Sequence, residues 1–473
     1  MPTQPYPPQH AAGYSRRQWM QALGSLGSLG SGLALGLGAA HTPSVWAQAA
    51  PQGAKRQTQG RLVVVFLRGA YDGLSAFVPY ADPNYLAMRP NIAIAAPDGT
   101  AQTALKLDNT FALHPALSPL WPMWQQGALS FIPSAGLPKP NRSHFDAQYQ
   151  MEIAQTGKTS SAPGWLNKLA AFESPTPATT AAIGVGEANP AILSGEATVK
   201  LIARGQAAER TGVLANEKTR QALMDLYAGN DKLSEAFRQG AGSRIQSALE
   251  LSHQKTMMNS QRDMANLDVA NRKLDRDGTP ASTQAQNAQM QAASNGAPDA
   301  VGLQLDAQHL GTLMRNDPAL KIGFLSAGGW DTHANQGNAT GQLANNFANL
   351  GRGLAQLRQD FSQDGDVIIV MSEFGRTAFE NGSRGTDHGF GNALWLIGNQ
   401  VNGGQWHGQW TGLARGNLNE ARDVPAHHDY RAVLAHVLHK VFALPDSAMA
   451  ALLPGATWDA RLDGMLRSTN AMR

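Results

Sequence analysis

The 473-residue chain contains no cysteine. That excludes disulfides, thiolate metal ligands and a cysteine nucleophile, and it makes the fold indifferent to the redox state of its compartment. Long apolar runs are also missing, since no stretch approaches the ~20 consecutive apolar residues that a bilayer span needs. Charge of one sign is not in excess either: 38 basic residues face 35 acidic ones. Without a clustered basic face, neither nucleic acid nor an acidic lipid surface is an expected partner. Charge is scarcest before Ala50, where Arg16 and Arg17 are the only charged residues.

That N-terminal stretch, SRRQWMQALGSLGSLGSGLALGLGAAHTPSVWAQAAP, reads as a twin-arginine signal peptide over residues 1–49. Ala47 and Ala49 fit an A-x-A cleavage site, which makes Ala50 the expected first mature residue. The apolar part is too rich in glycine and too short for a membrane anchor, so no stable span is expected after cleavage. The expected partner during export is the twin-arginine translocase, and the expected location is periplasmic or extracellular. Because that route carries folded proteins, a cysteine-free chain that assembles inside and works outside is consistent with it. The 49 glycines and 26 prolines, beside an ordinary 42% hydrophobic fraction, point to many tight loops rather than disorder.

RLVVVFL (61–67), KIGFLSAGG (321–329), DVIIVMSEFG (366–375) and NALWLIG (392–398) are compact apolar runs of the kind buried on both faces of a sheet. Helical periodicity separates them, as in QLANNFANLGRGLAQLRQDF and DYRAVLAHVLHKVFAL. The alternation predicts an α/β fold for residues 50–473: a doubly wound, mostly parallel sheet sandwiched by helices. Residues 216–300 differ. Their first part is polar with helical period, and TPASTQAQNAQMQAASNGAPDA, poor in large apolar residues, reads as a flexible connector. The region is expected to be a helical insertion, either a cap on the sheet or a surface excursion without a role in the site.

Ligands in open α/β sheets bind outside the carboxyl ends of the strands. Asp72 follows the first run, Asp331 and His333 the second, and Glu373 ends the third. Asp387 and His388 come later in the loop after the third run, and reach the same mouth only if that loop stays there. Four carboxylates at one edge would repel each other without a cation among them, and two imidazoles supply nitrogen donors. This donor set suits one or two divalent ions, with Zn, Mn, Mg and Ca as candidates. Each residue alone also suits a turn or a helix cap. Ser143, in NRSHFDAQYQMEIA, is either an ordinary N-cap or a nucleophile at a positive helix end, with Arg142 and His144 as neighbours favouring an anion. Arg376 either neutralises that anion or pairs with Glu380 at spacing four. His114, before a proline, is expected to cap or pack, and the adjacent His427 and His428 point in different directions.

At RLVVVFLRGAYDGLSAFVP, LHPALSPL, NRSHFDAQ, GGWDTH and SEFGRTAFENGSRGTDHG the chain resembles the bacterial family catalogued as domain of unknown function 1501. The resemblance runs along nearly the whole mature chain. It implies a twin-arginine signal and a place in the alkaline phosphatase and sulfatase superfamily of metal-dependent hydrolases. It further implies Asp72, Asp331, His333 and the Asp387–His388 pair as ligand positions and Ser143 as the nucleophile. Two features depart from the superfamily pattern: Phe374 follows Glu373 where a histidine is usual, and Asp331 and His333 are unusually close together. Ser143 also lacks the Pro and Arg context of a sulfatase. The expected function is therefore an exported metal-dependent hydrolase of phosphate esters or related anionic esters, acting on a small molecule or polymer. The alternative is a non-catalytic secreted binding or assembly protein that keeps the hydrolase fold.

Overall fold

Leu62–Leu67 (β1) is an unbroken apolar run, and all six of its residues are fully buried. In the computed structural model, which describes residues 60–157, 161–174, 176, 179–261 and 281–467, this strand lies inside an eight-stranded sheet. The signal segment, its cleavage site and residues 262–280 lie outside the described residues. The other strands are Leu129–Gly136 (β2), Ala182–Val185 (β3), Val199–Ile202 (β4), Ile322–Ala327 (β5), Val367–Met371 (β6), Asn392–Ile397 (β7) and His428–Asp429 (β8). Their order across the sheet is β8-β2-β7-β6-β1-β5-β3-β4.

The sheet is mixed but mostly parallel, as its sequence pattern implies. β1 pairs in parallel with β5 and β6, and β3 pairs in parallel with β5 and β4. β7 is the exception, running antiparallel to both β6 and β2. That reversal brings the start of β7 to the same edge as the end of β6. The loop between them therefore never crosses the sheet, and Asp387 and His388 stay at the mouth where the parallel strands end. β2 escaped the sequence pattern because Pro133 interrupts it. Proline donates no ladder hydrogen bond, and the β2–β7 register slips there, between the pairs Asn392–Ala135 and Leu394–Ile132.

Period-2 alternation divides the core in two. Leu62, Val64 and Phe66 face His144–Ile153 (α1), Trp165–Glu173 (α2) and a helix near the end of the chain, Tyr430–Phe442. Val63, Val65 and Leu67 face the other layer, made of two helices at Leu303–Asn316 and Gln342–Asp360. The result is an α/β sandwich with helices on both faces.

Residues 216–300, expected to be an insertion, carry Glu217–Leu226 (α3), Lys232–Gln261 (α4) and Ala281–Ser294 (α5). Their last part, read from composition as a connector, is thus helical from Ala281. Alanine, glutamine and methionine are strong helix formers even where large apolar residues are few. No helix among the described residues is long and apolar enough to cross a membrane.

Candidate metal centre

Three segments meet at the mouth of the sheet: the N-terminus of α1, the loop after β5 and the loop from β6 to β7. Glycines allow the approach. A Cβ on Gly385 would lie 2.3 Å from the backbone of His333, and one on Gly389 would lie 2.5 Å from that of Arg376. Backbone bonds from Thr386 to Thr332 and from Gln336 to Arg384 then stitch the two loops together.

At this junction Asp331, His144 and His388 each turn a ligand atom inward, the three lying within 4.8 Å of one another. His388 Nε2 is 2.9 Å from His144 Nε2 and 3.0 Å from His333 Nε2. Asp331 Oδ1 is 3.3, 2.9 and 3.2 Å from the Nε2 atoms of His144, His333 and His388. Asp331 is buried, while the His333 and His388 side chains remain about a quarter exposed, at 25% and 22%.

The other nitrogen of each ring settles what these atoms are. His144 Nδ1 lies 2.7 Å from the Glu373 carboxylate, His333 Nδ1 3.1 Å from Asp387, and His388 Nδ1 2.8 Å from the Arg142 carbonyl. All three partners are acceptors, so each Nδ1 carries a hydrogen and each ring turns its Nε2 inward, the atom that binds an ion when it carries no proton. Three such nitrogens then crowd one carboxylate. The second oxygen, Asp331 Oδ2, is buried with no hydrogen-bond partner. Such a set repels itself unless a cation or protons sit among it, and it is the donor set of a divalent metal site with carboxylate-backed imidazoles. The residues present fit a metal ion.

The electrostatics show the alternative to a cation, a proton held within the set. Burial opposes the charged form of His144, yet hydrogen bonds to Asp331 and Glu373 outweigh it and hold the ring above its ordinary pKa. Burial also opposes ionised Asp331, and the three histidines with Arg376 still hold it far below the carboxylate range. Glu373, fully buried, is kept ionised by His144 and Gln148. Its Oε1 also accepts from the Gly69 amide at 2.8 Å, and its Oε2 accepts from the Ser372 hydroxyl.

The remaining sequence-predicted residues fall in several places. Glu373 and Asp387 stand behind His144 and His333 rather than among the inward-facing atoms. Asp72 is apart from the group: its oxygens take both terminal nitrogens of Arg89 at 2.5 and 3.0 Å, together with Ser75 and Gln336. Arg376 is buried and fully committed, donating to the carbonyls of Gly69, Ala70, Trp330 and Thr386 and to Asp331 Oδ1 at 2.6 Å. It makes no pair with Glu380, whose carboxylate holds Asn91 and Ile92. Arg142 pairs with Glu420 and Asp423. Ser143 is exposed and caps α1, accepting from the Asp146 amide at 3.5 Å. His114 caps a 3-10 helix.

His144 was legible in sequence only as a neighbour of Ser143. Its one local signal is its place as the first residue of a helix, and the fold alone brings it to residues more than 180 positions away.

No curated protein sequence matches the chain. Among solved structures, a magnesium-bound variant of TAB5 alkaline phosphatase is similar over 74% of this chain and 95% of that one, at 12% identity and a TM-score of 0.30. The family model described as protein of unknown function, DUF1501, matches residues 59–453, and the chain belongs to that family.

Proposed function

We infer that the protein is an exported metal-dependent hydrolase of phosphate esters or related esters, with His144, Asp331 and His388 holding one divalent ion and His333 as a further donor. One observation carries this reading: three imidazoles whose Nδ1 atoms are all tied to acceptors aim their Nε2 atoms at one buried carboxylate with an orphaned oxygen. One ion is favoured over two, because Asp72 is neutralised by Arg89 and Glu373 is spent on His144, Gln148 and Gly69. Mixed nitrogen and oxygen donors favour Zn or Mn over Ca, which takes oxygen ligands.

A bound divalent ion supplies charge stabilisation and a lowered pKa for an attacking hydroxyl or water. Around it, Glu373, Asp387 and the Arg142 carbonyl orient the rings, and Arg376 holds Asp331. Ser143 is the candidate attacking group: among the described residues its exposed hydroxyl makes only the long cap bond, and it directly precedes His144. Elemental analysis of protein purified from the periplasm, followed by an ester panel, tests the reading. Metal-free protein that stays inactive after metal addition overturns it. Export is checked by replacing Arg16 and Arg17 with lysine, which should leave uncleaved precursor in the cytoplasm.

A second reading keeps the ion and drops turnover. If His333 joins the other three donors, the site has four protein ligands, the usual complement of a structural site. Metal-loaded, inactive protein that captures one stoichiometric partner would favour that reading.

A further inference from the structure

Beside the metal centre lies a cavity of about 180 Å3, with Asp331 and His333 at one end. That is smaller than the roughly 300–1,000 Å3 typical of drug-sized ligand pockets, so it takes a single ring-sized unit, free or as one unit of a longer chain. Its walls come from two places. Helix α5 of the insertion supplies Gln286, Asn287, Gln289 and Met290, and the segment after β5 supplies Asn335 and Gln342.

Away from Asp331 and His333, amides dominate these walls. Five side-chain amides surround the space, each able to donate and accept, and no lysine, arginine or glutamate stands among them. The helix itself, ASTQAQNAQMQAAS, carries no charge along its 14 residues. A helix kept on the surface merely for solvation would be expected to carry charges on its outer face. Here the positions facing out are amides and alanines. Among the described residues, no side-chain hydrogen bond engages Gln286, Asn287, Gln289 or Asn335, which leaves their donors and acceptors for a ligand.

The wall is also held in place. The Ala293 carbonyl accepts from Gln148 Nε2 at 2.7 Å, and Ser294 Oγ accepts from the Gly329 amide at 3.0 Å. Gln342 Nε2 donates to Met290 Sδ at 3.2 Å. Gln148 donates through the same nitrogen to Glu373, so α5 and His144 are positioned from one side chain.

We propose that α5 is the specificity wall of the site and that the cavity takes a neutral, hydroxyl-rich ring, making the substrate an ester carried on a carbohydrate. Each amide can meet a hydroxyl in both of its hydrogen-bonding senses, and Met290 offers an apolar contact for a ring face. An anionic moiety would find no cation in these walls, because Arg376 and Arg142 are committed elsewhere. The proposal rests on the metal-dependent hydrolase reading for its chemistry but on α5 for its recognition.

The two parts separate in one experiment. Titration calorimetry on the full chain would use neutral tetrasaccharides of glucose, xylose and N-acetylglucosamine, a neutral tetrapeptide and inorganic phosphate. Metal content and thermal midpoint would be measured on every sample. The expected result is binding of a tetrasaccharide that weakens at least about tenfold in a Gln286→Ala, Asn287→Ala double variant with unchanged metal and midpoint. Metal-loaded protein that binds no tetrasaccharide, binds it equally in the variant or prefers the tetrapeptide overturns the carbohydrate wall and leaves the metal centre standing. Metal-free protein that stays inactive on esters after metal addition, yet loses tetrasaccharide binding in the variant, supports the wall and defeats the hydrolase.

Discussion

Glu373 Oε1 sits 2.7 Å from His144 Nδ1, so a fully buried carboxylate fixes which ring nitrogen of His144 faces Asp331. The carboxylate touches none of the inward-facing atoms except through this ring. Glu373→Gln keeps the shape and removes the charge. Metal affinity, measured by competition with a chelator, should fall by about 10–100-fold, the usual cost of losing a carboxylate behind a ligating histidine.

Arg89 and Asp72 form a buried, doubly hydrogen-bonded pair, and Arg89 also holds the carbonyls of Thr377 and Ala378. Removing the cation alone leaves a buried charge unpaired. Arg89→Met should therefore cost about 3–5 kcal/mol in urea unfolding, and adding Asp72→Asn should recover part of that loss. A double variant no more stable than Arg89→Met would contradict the pairing argument.

His114 is buried with both nitrogens assigned: Nδ1 accepts from the Ala116 amide, and Nε2 donates to the Asn338 carbonyl. Protonating Nδ1 would destroy the first bond. Burial pushes the ring down to about 4, with the Asn338 carbonyl and Asp72 opposing only in part. The unfolded chain, near the ordinary value of about 6.5, takes up the proton first as pH falls. This contribution is therefore complete above about pH 6.5, is lost between there and about pH 4, and is flat below. The whole limb is worth on the order of 3 kcal/mol. His114→Gln should flatten that part of the stability profile, measured by urea unfolding at about pH 7 and about pH 4.5.

Ser143 separates a cap from a nucleophile. Its cap bond is long, at 3.5 Å, so Ser143→Ala should cost no more than about 1 kcal/mol of stability and leave metal content unchanged. Ester turnover should fall at least about 100-fold. Unchanged turnover would assign the attack to water and leave Ser143 as a cap.

The central strands were legible because burial on both faces leaves an uninterrupted apolar run. β2 was not, since Pro133 breaks the run while a slipped register accommodates it. The place of Asp331 and His333 was legible because they follow an apolar run, and that of His388 only on condition that its loop stays at the same mouth; that Glu373 and Asp387 stand behind imidazoles was not, because an inward-facing donor and the carboxylate behind one look alike in sequence. Asp72 was drawn into the same group by its position after β1. Its partner Arg89 carries no sequence signal of pairing, 17 residues on in another loop. The α5 wall was hidden by composition, since alanine and glutamine without large apolar residues suit a connector as well as a helix packed along one edge.

Arg376 lies between β6 and β7 yet donates to backbone carbonyls after β1 and after β5, and to Asp331 itself. Its guanidinium acts as a coincidence detector for folding, satisfied only when three separately assembled strand ends have arrived together. Asp331 is held in place by the last of those bonds. The meeting of Asp331, His144 and His388 thereby belongs to the finished sheet alone, and a chain with any one of those strands missing would not bring the three donors together.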